Sequence, residues 1–325
     1  MRAAYYEKNG PARDVLHVGE VETPRPGPGE VRVKLAVSGV NPSDVKSRAG
    51  TVRKIAFPRV IPHSDGAGVI DLVGDGVPPS RVGERVWVWN GQWKRPFGTC
   101  AEFIVVSAAM AVPLPPNASF EVGACLGIPA MTAYHAVTAA GTGPGTTLLI
   151  AGGAGAVAHD AIQFAKALGA TVITTISSAE KAKAAQDAGA DHAIDYKREN
   201  VGDRVMEITG KRGVDAVIEL DLAANANLLP GVLRPRGTVV VYGTQAQALV
   251  PAQWMLVSTI TLKFFLVYEL TESERAATIG AINRALADGI LTPHVALTLP
   301  LADIVAAHEA VEQGKAIGNV LVRLG

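Results

Sequence analysis

The spacing of glycines after an apolar run near the middle of the chain constrains the fold more than any other feature. The run at 146–150 has the composition of a buried parallel strand, and a glycine-rich turn and an amphipathic helix follow it. The residues of the turn fall as Gly153-x-Gly155-x-x-Ala158, which is the spacing of a dinucleotide-binding turn. Free N–H groups and the positive dipole at the start of the helix favour bound phosphate. The sequence therefore predicts a βαβ unit that binds a dinucleotide.

Each position in this spacing has a mechanical reason. Gly153 is expected to permit the tight turn, Gly155 to let the backbone approach a pyrophosphate, and Ala158 to keep the helix close to the strand. The expected contacts to the cofactor phosphates are Gly153, Ala154, Gly155, Ala156, Val157 and Ala158.

Apolar runs along the chain divide it into two regions. Residues 1–120 contain short Val-rich runs punctuated by prolines, which is typical of antiparallel strands and turns. Further along, apolar runs alternate with helical segments, and this predicts a doubly wound, Rossmann-type parallel sheet of six strands. We expect the Rossmann domain over 123–268 and a mainly-β domain formed by 1–122 together with 269–325. The six runs lie at 146–150, 171–177, 192–196, 215–220, 237–243 and 262–268.

Composition argues against several functional classes. The 325 residues include 30 basic and 30 acidic side chains, and this balance differs from the basic field of a nucleic-acid-binding protein. No apolar run reaches the roughly 18 residues that cross a bilayer, and the first residues lack the apolar core of a signal peptide. Two cysteines do not form a disulfide framework, which fits a reducing compartment. We expect a cytoplasmic α/β protein with no membrane or nucleic-acid partner.

The end of the second predicted strand indicates the type of nicotinamide cofactor. An NAD site usually has Asp or Glu about 20 residues after the glycines, where it binds the ribose 2′-hydroxyl. This chain has neutral hydroxyl side chains there instead. Ser177 and Ser178 can hydrogen-bond a 2′-phosphate, and Lys181 can supply charge, although it can also be an ordinary solvated lysine. Tyr196 can close the pocket, so the sequence predicts NADPH.

These features together give a resemblance to a known family. The chain resembles the zinc-free quinone oxidoreductases of the medium-chain dehydrogenase/reductase superfamily, the group that includes zeta-crystallin. The resemblance implies a GroES-like catalytic domain over the mainly-β region. An apolar edge strand over 262–268 and the resemblance both predict a homodimer. The similar motifs are GVNPSDVKSRAG at 39–50, IPHSDGAGVI at 61–70, GTCAEF at 98–103, GIPAMTAYHA at 127–136, the glycine turn, residues 218–243 and residues 314–324.

The resemblance also bears on zinc. Zinc-dependent members bind the metal through two cysteines and a histidine, and this chain has Asn41, Ser64 and Ile128 at the matching positions. An amide, a hydroxyl and an alkyl group do not form a Zn²⁺ site, which takes thiolates and imidazoles. His63 lies one residue from a ligand position but lacks those partners. We therefore expect no metal, and hydride transfer to an already electrophilic carbonyl such as a quinone.

The resemblance places further residues near the reacting atoms. Asn41 matches a polar position whose amide can donate a hydrogen bond to the acceptor carbonyl, with an Asx turn at Pro42 as the alternative. Asp44 is expected to support the same loop, or to orient Asn41 or Lys46. Lys46 stands where relatives usually have tyrosine, so it either selects an acidic substrate or points to solvent. The other expected cofactor contacts are Thr132, Gly243, Leu266, Val267 and Asn319.

The sequence thus favours an NADPH-dependent reductase of quinones or related conjugated carbonyls, and two alternatives remain. The first is an enone, enal or enoyl-thioester reductase, which needs a proton donor such as Lys46 or Tyr268 at the second carbon. The second is a cofactor-binding protein without catalysis that serves in structure, regulation or RNA binding, as the resemblance to zeta-crystallin implies.

Overall fold

The computed structural model describes residues 1–314 and 316–325 of the chain. The strands, in chain order, are β1 (Arg2–Tyr5), β2 (His17–Glu20), β3 (Glu30–Val40), β4 (Asp65–Val73), β5 (Arg85–Val88), β6 (Phe103–Ser107), β7 (Ala111–Pro113), β8 (Thr147–Ile150), β9 (Thr171–Ile176), β10 (His192–Asp195), β11 (Val214–Glu219), β12 (Leu233–Val241), β13 (Thr261–Phe264), β14 (Val295–Pro300) and β15 (Asn319–Arg323). The α-helices are α1 (Ala12–Val15), α2 (Pro42–Ala49), α3 (Phe120–Gly123), α4 (Met131–Ala139), α5 (Ala156–Ala167), α6 (Ala179–Asp187), α7 (Val201–Ile208), α8 (Leu222–Asn225), α9 (Leu229–Val232), α10 (Ala252–Val257), α11 (Glu272–Ala287) and α12 (Ile304–Glu312). None of the described helices is both long enough and apolar enough to cross a membrane.

The chain forms two compact units. The first comprises Met1–Pro129 and Thr292–Gly325, and the second comprises Ala130–Leu291. Helix α11 belongs to the second unit because it packs against α4, whereas the sequence grouped all residues from 269 onward with the mainly-β region. Strands β14 and β15 and helix α12 belong to the first unit.

The second unit is built on a parallel sheet of six strands in the order β10-β9-β8-β11-β12-β13. The chain enters at β8, in the interior of the sheet, and winds outward in both directions, as in a doubly wound nucleotide-binding fold. Leu148, Leu149 and Ile150 are buried, because both faces of an interior parallel strand are covered. The predicted Rossmann-type sheet is confirmed. Its edge strand β13 is shorter than predicted, because a 3₁₀ turn forms at Val267–Glu269.

The first unit is built on a mainly antiparallel sheet, with strand order β14-β15-β3-β4-β5-β7 and with β6 paired to β3. Strand β3 is its longest strand and pairs with β15, β4 and β6. Val31, Val33 and Leu35 alternate along β3 with more exposed residues, which is the period-two pattern of a strand that covers a core. The mainly-β character predicted for this region is confirmed.

Asp160 is an unusual residue in the core of the second unit. It lies on α5 among the buried apolar residues Ala161, Ile162 and Phe164. The side chain is fully buried, and neither carboxyl oxygen has a hydrogen-bond partner among the described residues. Burial raises the pKa of this carboxyl well above its ordinary value. The folded chain therefore holds Asp160 neutral in a pH range where the unfolded chain ionises it.

Replacing Asp160 with asparagine should stabilise the fold increasingly as the pH rises. Because the pKa of Asp160 is higher in the folded chain than in the unfolded chain, the free energy of unfolding of the parent falls above about pH 4. It falls by up to about 1.4 kcal/mol per pH unit until the pH reaches the folded pKa. Asp160→Asn has no such ionisation, so its advantage in the urea-unfolding free energy should be larger at about pH 7.5 than at about pH 5. An advantage that is the same at both pH values would contradict this.

Candidate functional site

The glycine turn lies between β8 and α5 and packs against strand β9. Gly152 has a φ of +70°, and its N–H donates to Thr175 Oγ1 at 3.0 Å. The N–H of Gly153 donates to the Thr175 carbonyl at 3.0 Å, and a Cβ at Gly153 would lie 2.3 Å from Thr174 Oγ1. Ala154 is buried. The left-handed residue of the turn is therefore Gly152, whereas Gly153 has to be glycine because β9 lies against it.

Gly155 marks the open side of the turn. It is the N-cap residue of α5, in extended backbone, and no side chain caps the helix. A Cβ at this position would meet only the Gly152 carbonyl oxygen, at 3.4 Å. The N–H groups of Ala156, Val157 and Ala158 at the helix start have no partner within the helix. Open space above an uncapped helix start fits a bound pyrophosphate.

The residues expected around a 2′-phosphate meet at the end of β9. Ser178 is the N-cap residue of α6, and its Oγ accepts the Lys181 N–H at 3.3 Å. The N–H of Tyr196 donates to the Ile176 carbonyl at 3.1 Å, which brings Tyr196 beside Ser177. Within the described residues, the Ser177 hydroxyl and the Lys181 ammonium form no hydrogen bond or ion pair. The Ser178 hydroxyl already caps a helix, whereas the Ser177 hydroxyl and the Lys181 ammonium remain available to a phosphate.

Two other expected cofactor contacts, Thr132 and Gly243, lie in the second unit. Thr132 is buried in α4. Gly243 follows β12, where a Cβ would lie 2.1 Å from the carbonyl oxygen of Leu220. Only glycine allows the chain after β12 to pass this close to the end of β11.

The last three expected contacts have different surroundings. Leu266 lines a cavity of about 760 Å³ along β13, α4 and α11, and residues of the glycine turn do not line it. Val267 is buried in the adjoining 3₁₀ turn. Asn319 begins β15 in the first unit, and its Nδ2 donates to the carbonyl of His294 at 3.0 Å. The Asn319 amide thus has a structural partner in its own unit.

Asn41 lies at the start of α2 between two buried carboxyl groups. Its backbone N–H donates to Asp44 Oδ2 at 2.8 Å, and its Nδ2 donates to Asp65 Oδ2 at 2.7 Å. All three residues are at most 5% exposed. The amide nitrogen carries two N–H groups, and it lies between the carboxyl groups of Asp65 and Asp44. The sequence analysis missed Asp65, although an acid directly after the Ser64 position was the available signal.

Burial governs the charge of this carboxyl pair. It raises the pKa of Asp65 well above its ordinary value, and the negative charge of Asp44 raises it further. Burial also raises the pKa of Asp44, to about 7, against the opposing hydrogen bonds from Asn41 and the positive charge of Arg53. Burial therefore favours the neutral form of the Asp65 carboxyl, while the pKa of Asp44 is about 7.

The three positions that match zinc ligands come together around Asp65. Asn41 bonds to its carboxyl group, the backbone of Ile128 lies beside it, and Ser64 precedes it in the chain. In the part of the chain that the structure describes, no three His, Cys, Asp or Glu side chains are grouped so that they can hold a metal ion.

His63 belongs to a buried chain of hydrogen bonds. Its Nδ1 lies 2.9 Å from Ser38 Oγ, and its Nε2 lies 3.0 Å from Nε2 of His308, with the two rings stacked. Ser38 in turn bonds to Thr99, whose hydroxyl donates to the Asp65 carbonyl at 2.5 Å. Burial lowers the pKa of His63 to about 3 and that of His308 well below its ordinary value, so both rings are neutral.

Lys46 lies on the exposed side of α2. Asp44, Val45 and Arg48 of the same helix are buried, whereas Lys46 is exposed and has no hydrogen-bond or ion-pair partner for its ammonium group among the described residues. This placement is compatible with both expectations for Lys46, a solvated lysine or a contact to an acidic substrate.

Comparison with known proteins shows the family. Residues 27–116 match the alcohol dehydrogenase GroES-like domain, and residues 156–283 match the zinc-binding dehydrogenase family. A 2-haloacrylate reductase from a Burkholderia species is 30% identical over 99% of this chain and 98% of its own length. Rat quinone oxidoreductase is 31% identical over 94% of this chain and 91% of its own length. The chain belongs to the quinone oxidoreductase group of the medium-chain dehydrogenase/reductase superfamily.

A solved structure of this group supports the same assignment. Escherichia coli quinone oxidoreductase, solved in complex with NADPH, has a TM-score of 0.88 and 26% identity, with 99% of this chain and 100% of that chain covered. The predicted family and the fold class, a Rossmann domain with a GroES-like domain, are confirmed.

The buried histidine pair should make the stability of this quinone oxidoreductase relative depend on pH. Both folded pKa values lie below the unfolded value of about 6.5, so stability is fully present above that pH and is lost as the pH falls. The loss is up to about 1.4 kcal/mol per pH unit for each histidine. In urea unfolding between about pH 5 and 7, His308→Gln should show a smaller slope than the parent. The exposed control His17→Gln should keep the parent slope, and equal slopes for parent and His308→Gln would contradict the account.

Replacing Ser177 with aspartate should change the cofactor preference. A carboxylate at the end of β9 repels a 2′-phosphate and can bind a 2′-hydroxyl. The ratio of kcat/KM for NADPH to that for NADH should fall by about tenfold or more, a change of ~1.4 kcal/mol. The control Lys183→Ala alters a lysine that is paired with Asp187 on the same helix and should leave the ratio unchanged. Comparable KM values for the two cofactors in the parent would refute the 2′-phosphate assignment.

Proposed function

We propose that this chain is an NADPH-dependent oxidoreductase that transfers hydride to quinones or related conjugated carbonyls without zinc. The observation that carries the proposal is the open, uncapped glycine turn, followed at the end of β9 by hydroxyl groups and a lysine instead of a carboxylate. A related quinone oxidoreductase has been solved in complex with NADPH, which agrees with this cofactor.

The residues of the second unit would hold the cofactor. The start of α5 and the open side of Gly155 take the pyrophosphate, and Ser177 and Lys181 take the 2′-phosphate with Tyr196 beside them. When bound, the nicotinamide supplies the hydride. The protein supplies binding and orientation, and Gly153 keeps the turn against β9.

Asn41 would act on the acceptor. Its amide would donate to the acceptor carbonyl, where negative charge develops as hydride arrives. Asp65 holds the amide group and Asp44 holds the backbone, so the donor is fixed before substrate binds. Asn41, Ser64 and Ile128 lack the thiolate and imidazole groups that Zn²⁺ takes, which supports a zinc-independent reaction.

A second candidate function is the reduction of a conjugated C=C bond. The observation that favours it is the 30% identity to a protein named 2-haloacrylate reductase. This reaction uses the same hydride donor but requires a proton at the second carbon. Of the expected donors, Lys46 is exposed and Tyr268 is buried. Product analysis separates the two functions, because one gives a hydroquinone or semiquinone and the other a saturated carbonyl compound.

We also propose a homodimer through β13 and a reducing, cytoplasmic location. Strand β13 is the edge of its sheet, and the side chain of Phe264 at its end is 60% exposed. Leu256 and Val257 are also exposed, and an open strand edge with apolar neighbours favours pairing with a second copy. Both cysteines, Cys100 and Cys125, are free thiols, in keeping with a reducing compartment.

Replacing Asn41 with alanine should slow quinone reduction. Loss of one preorganised donor to a developing oxyanion reduces kcat by about 10²-fold. Steady-state rates of NADPH oxidation with 1,4-naphthoquinone should show this loss, while the Kd for NADPH stays unchanged. The matched control is Asn200→Ala, because Asn200 also begins a helix, α7, but is exposed. A parent that binds NADPH and reduces no quinone would refute the proposal, and an unchanged kcat for Asn41→Ala would refute the role of Asn41.

A further inference from the structure

Helix α2 and the chain that follows it carry positive charge that acidic side chains do not neutralise. Lys46, Arg53 and Lys54 are exposed, and none of the three forms an ion pair with a described residue. This differs from many other arginines of the same unit. Those with a carboxylate partner include Arg13 with Glu309, Arg32 with Asp71, Arg48 with Glu312, Arg59 with Glu7 and Arg81 with Glu84.

Arg53 is held in place although it is exposed. Its guanidinium carbon lies 4.4 Å from the centroid of the Trp93 ring, and its Nη2 donates to Ser47 Oγ at 3.0 Å. Asn9 fixes the loop on both sides, because its Nδ2 donates to the Ser47 carbonyl at 2.9 Å and its Oδ1 accepts the Ile55 N–H at 2.8 Å. A guanidinium stacked on an indole keeps N–H groups at its edge for a planar, bidentate partner. Arg53 is therefore a preorganised donor for an anion.

The positive charge of Arg53 acts on the candidate acceptor site. It lowers the pKa of Asp44, the residue that binds the backbone N–H of Asn41. Helix α2 connects the two places, since Asn41 begins it and Ser47, the partner of Arg53, lies six residues later, about 9 Å along the axis. Lys46 precedes Ser47 on this helix. Helix α2 thus joins the Asn41 amide to the loop that carries Arg53.

We propose that Arg53, with Lys46 beside it, binds a carboxylate of the acceptor, so that the substrate is a conjugated carbonyl compound that also carries an acidic group. The planar fork of a guanidinium matches a carboxylate through two parallel hydrogen bonds. This inference rests on the proposed function, because it names the class of acceptor that the same site reduces. The sequence analysis considered an acidic substrate only for Lys46. The inference adds Arg53, which the sequence analysis did not single out.

Kinetics with a matched pair of acceptors tests the inference. The acceptors are 1,4-naphthoquinone-6-carboxylate and its methyl ester, which differ in charge and little in shape. The parent should have a higher kcat/KM for the acid. Arg53→Gln should lower kcat/KM for the acid by about 10- to 100-fold, the range for losing a hydrogen bond to a charged group, and should change the ester by less than about twofold. Lys54→Gln is the control on the same loop and should affect neither acceptor.

A binding measurement separates failure of this inference from failure of the proposed function. The Kd of 2-naphthoate and of its methyl ester is measured by isothermal titration calorimetry on the full chain with NADP⁺. If Arg53→Gln weakens only the acid, the anion site stands even where no quinone is reduced. If the parent reduces the ester quinone but neither kinetics nor binding depends on Arg53, the anion site is refuted and the oxidoreductase function stands.

Discussion

The close packing of strand β9 against the glycine turn is the contact on which the proposed cofactor site depends. Thr175 accepts two N–H groups of the turn, and Thr174 leaves no room for a side chain at Gly153. With the turn held on β9, its other side stays open at Gly155, above the uncapped start of α5. The same strand ends at Ile176, directly before Ser177, so one strand would position both the proposed pyrophosphate contacts and the proposed 2′-phosphate contacts. The arrangement is local to the second unit and follows from side-chain size and backbone hydrogen bonds.

In the first unit, a buried hydrogen bond orients the amide of Asn41. The positions where zinc-dependent relatives carry ligands surround Asp65, which holds the amide of Asn41. A buried carboxyl group is costly unless it is protonated or paired. The burial of the Asp65 carboxyl group is explained by the fixed orientation that this group gives to the Asn41 amide. Under the proposals above, the Asn41 amide and the stacked Arg53, which has no ion-pair partner among the described residues, would give the acceptor two points of recognition.

The sequence predicted the doubly wound parallel sheet and the helix after the glycine turn, because apolar runs and glycine spacing are local patterns. It assigned the tight turn to Gly153, but the left-handed residue is Gly152, since spacing does not show which glycine faces a neighbouring strand. Asp65 and Arg53 were missed because their partners, Asn41 and Trp93, are 24 and 40 residues away in the chain. The pairing of His63 with His308 spans 245 residues and is likewise invisible to local patterns.

The central claim is that this fold passes hydride from NADPH to a conjugated carbonyl without a metal. The most direct test follows NADPH absorbance with 1,4-naphthoquinone, using a preparation whose zinc content has been measured by elemental analysis. The account predicts quinone-dependent oxidation that is faster with NADPH than with NADH, at zinc far below one ion per chain. Stoichiometric zinc required for turnover, or tight NADPH binding with no conjugated carbonyl reduced, would contradict it.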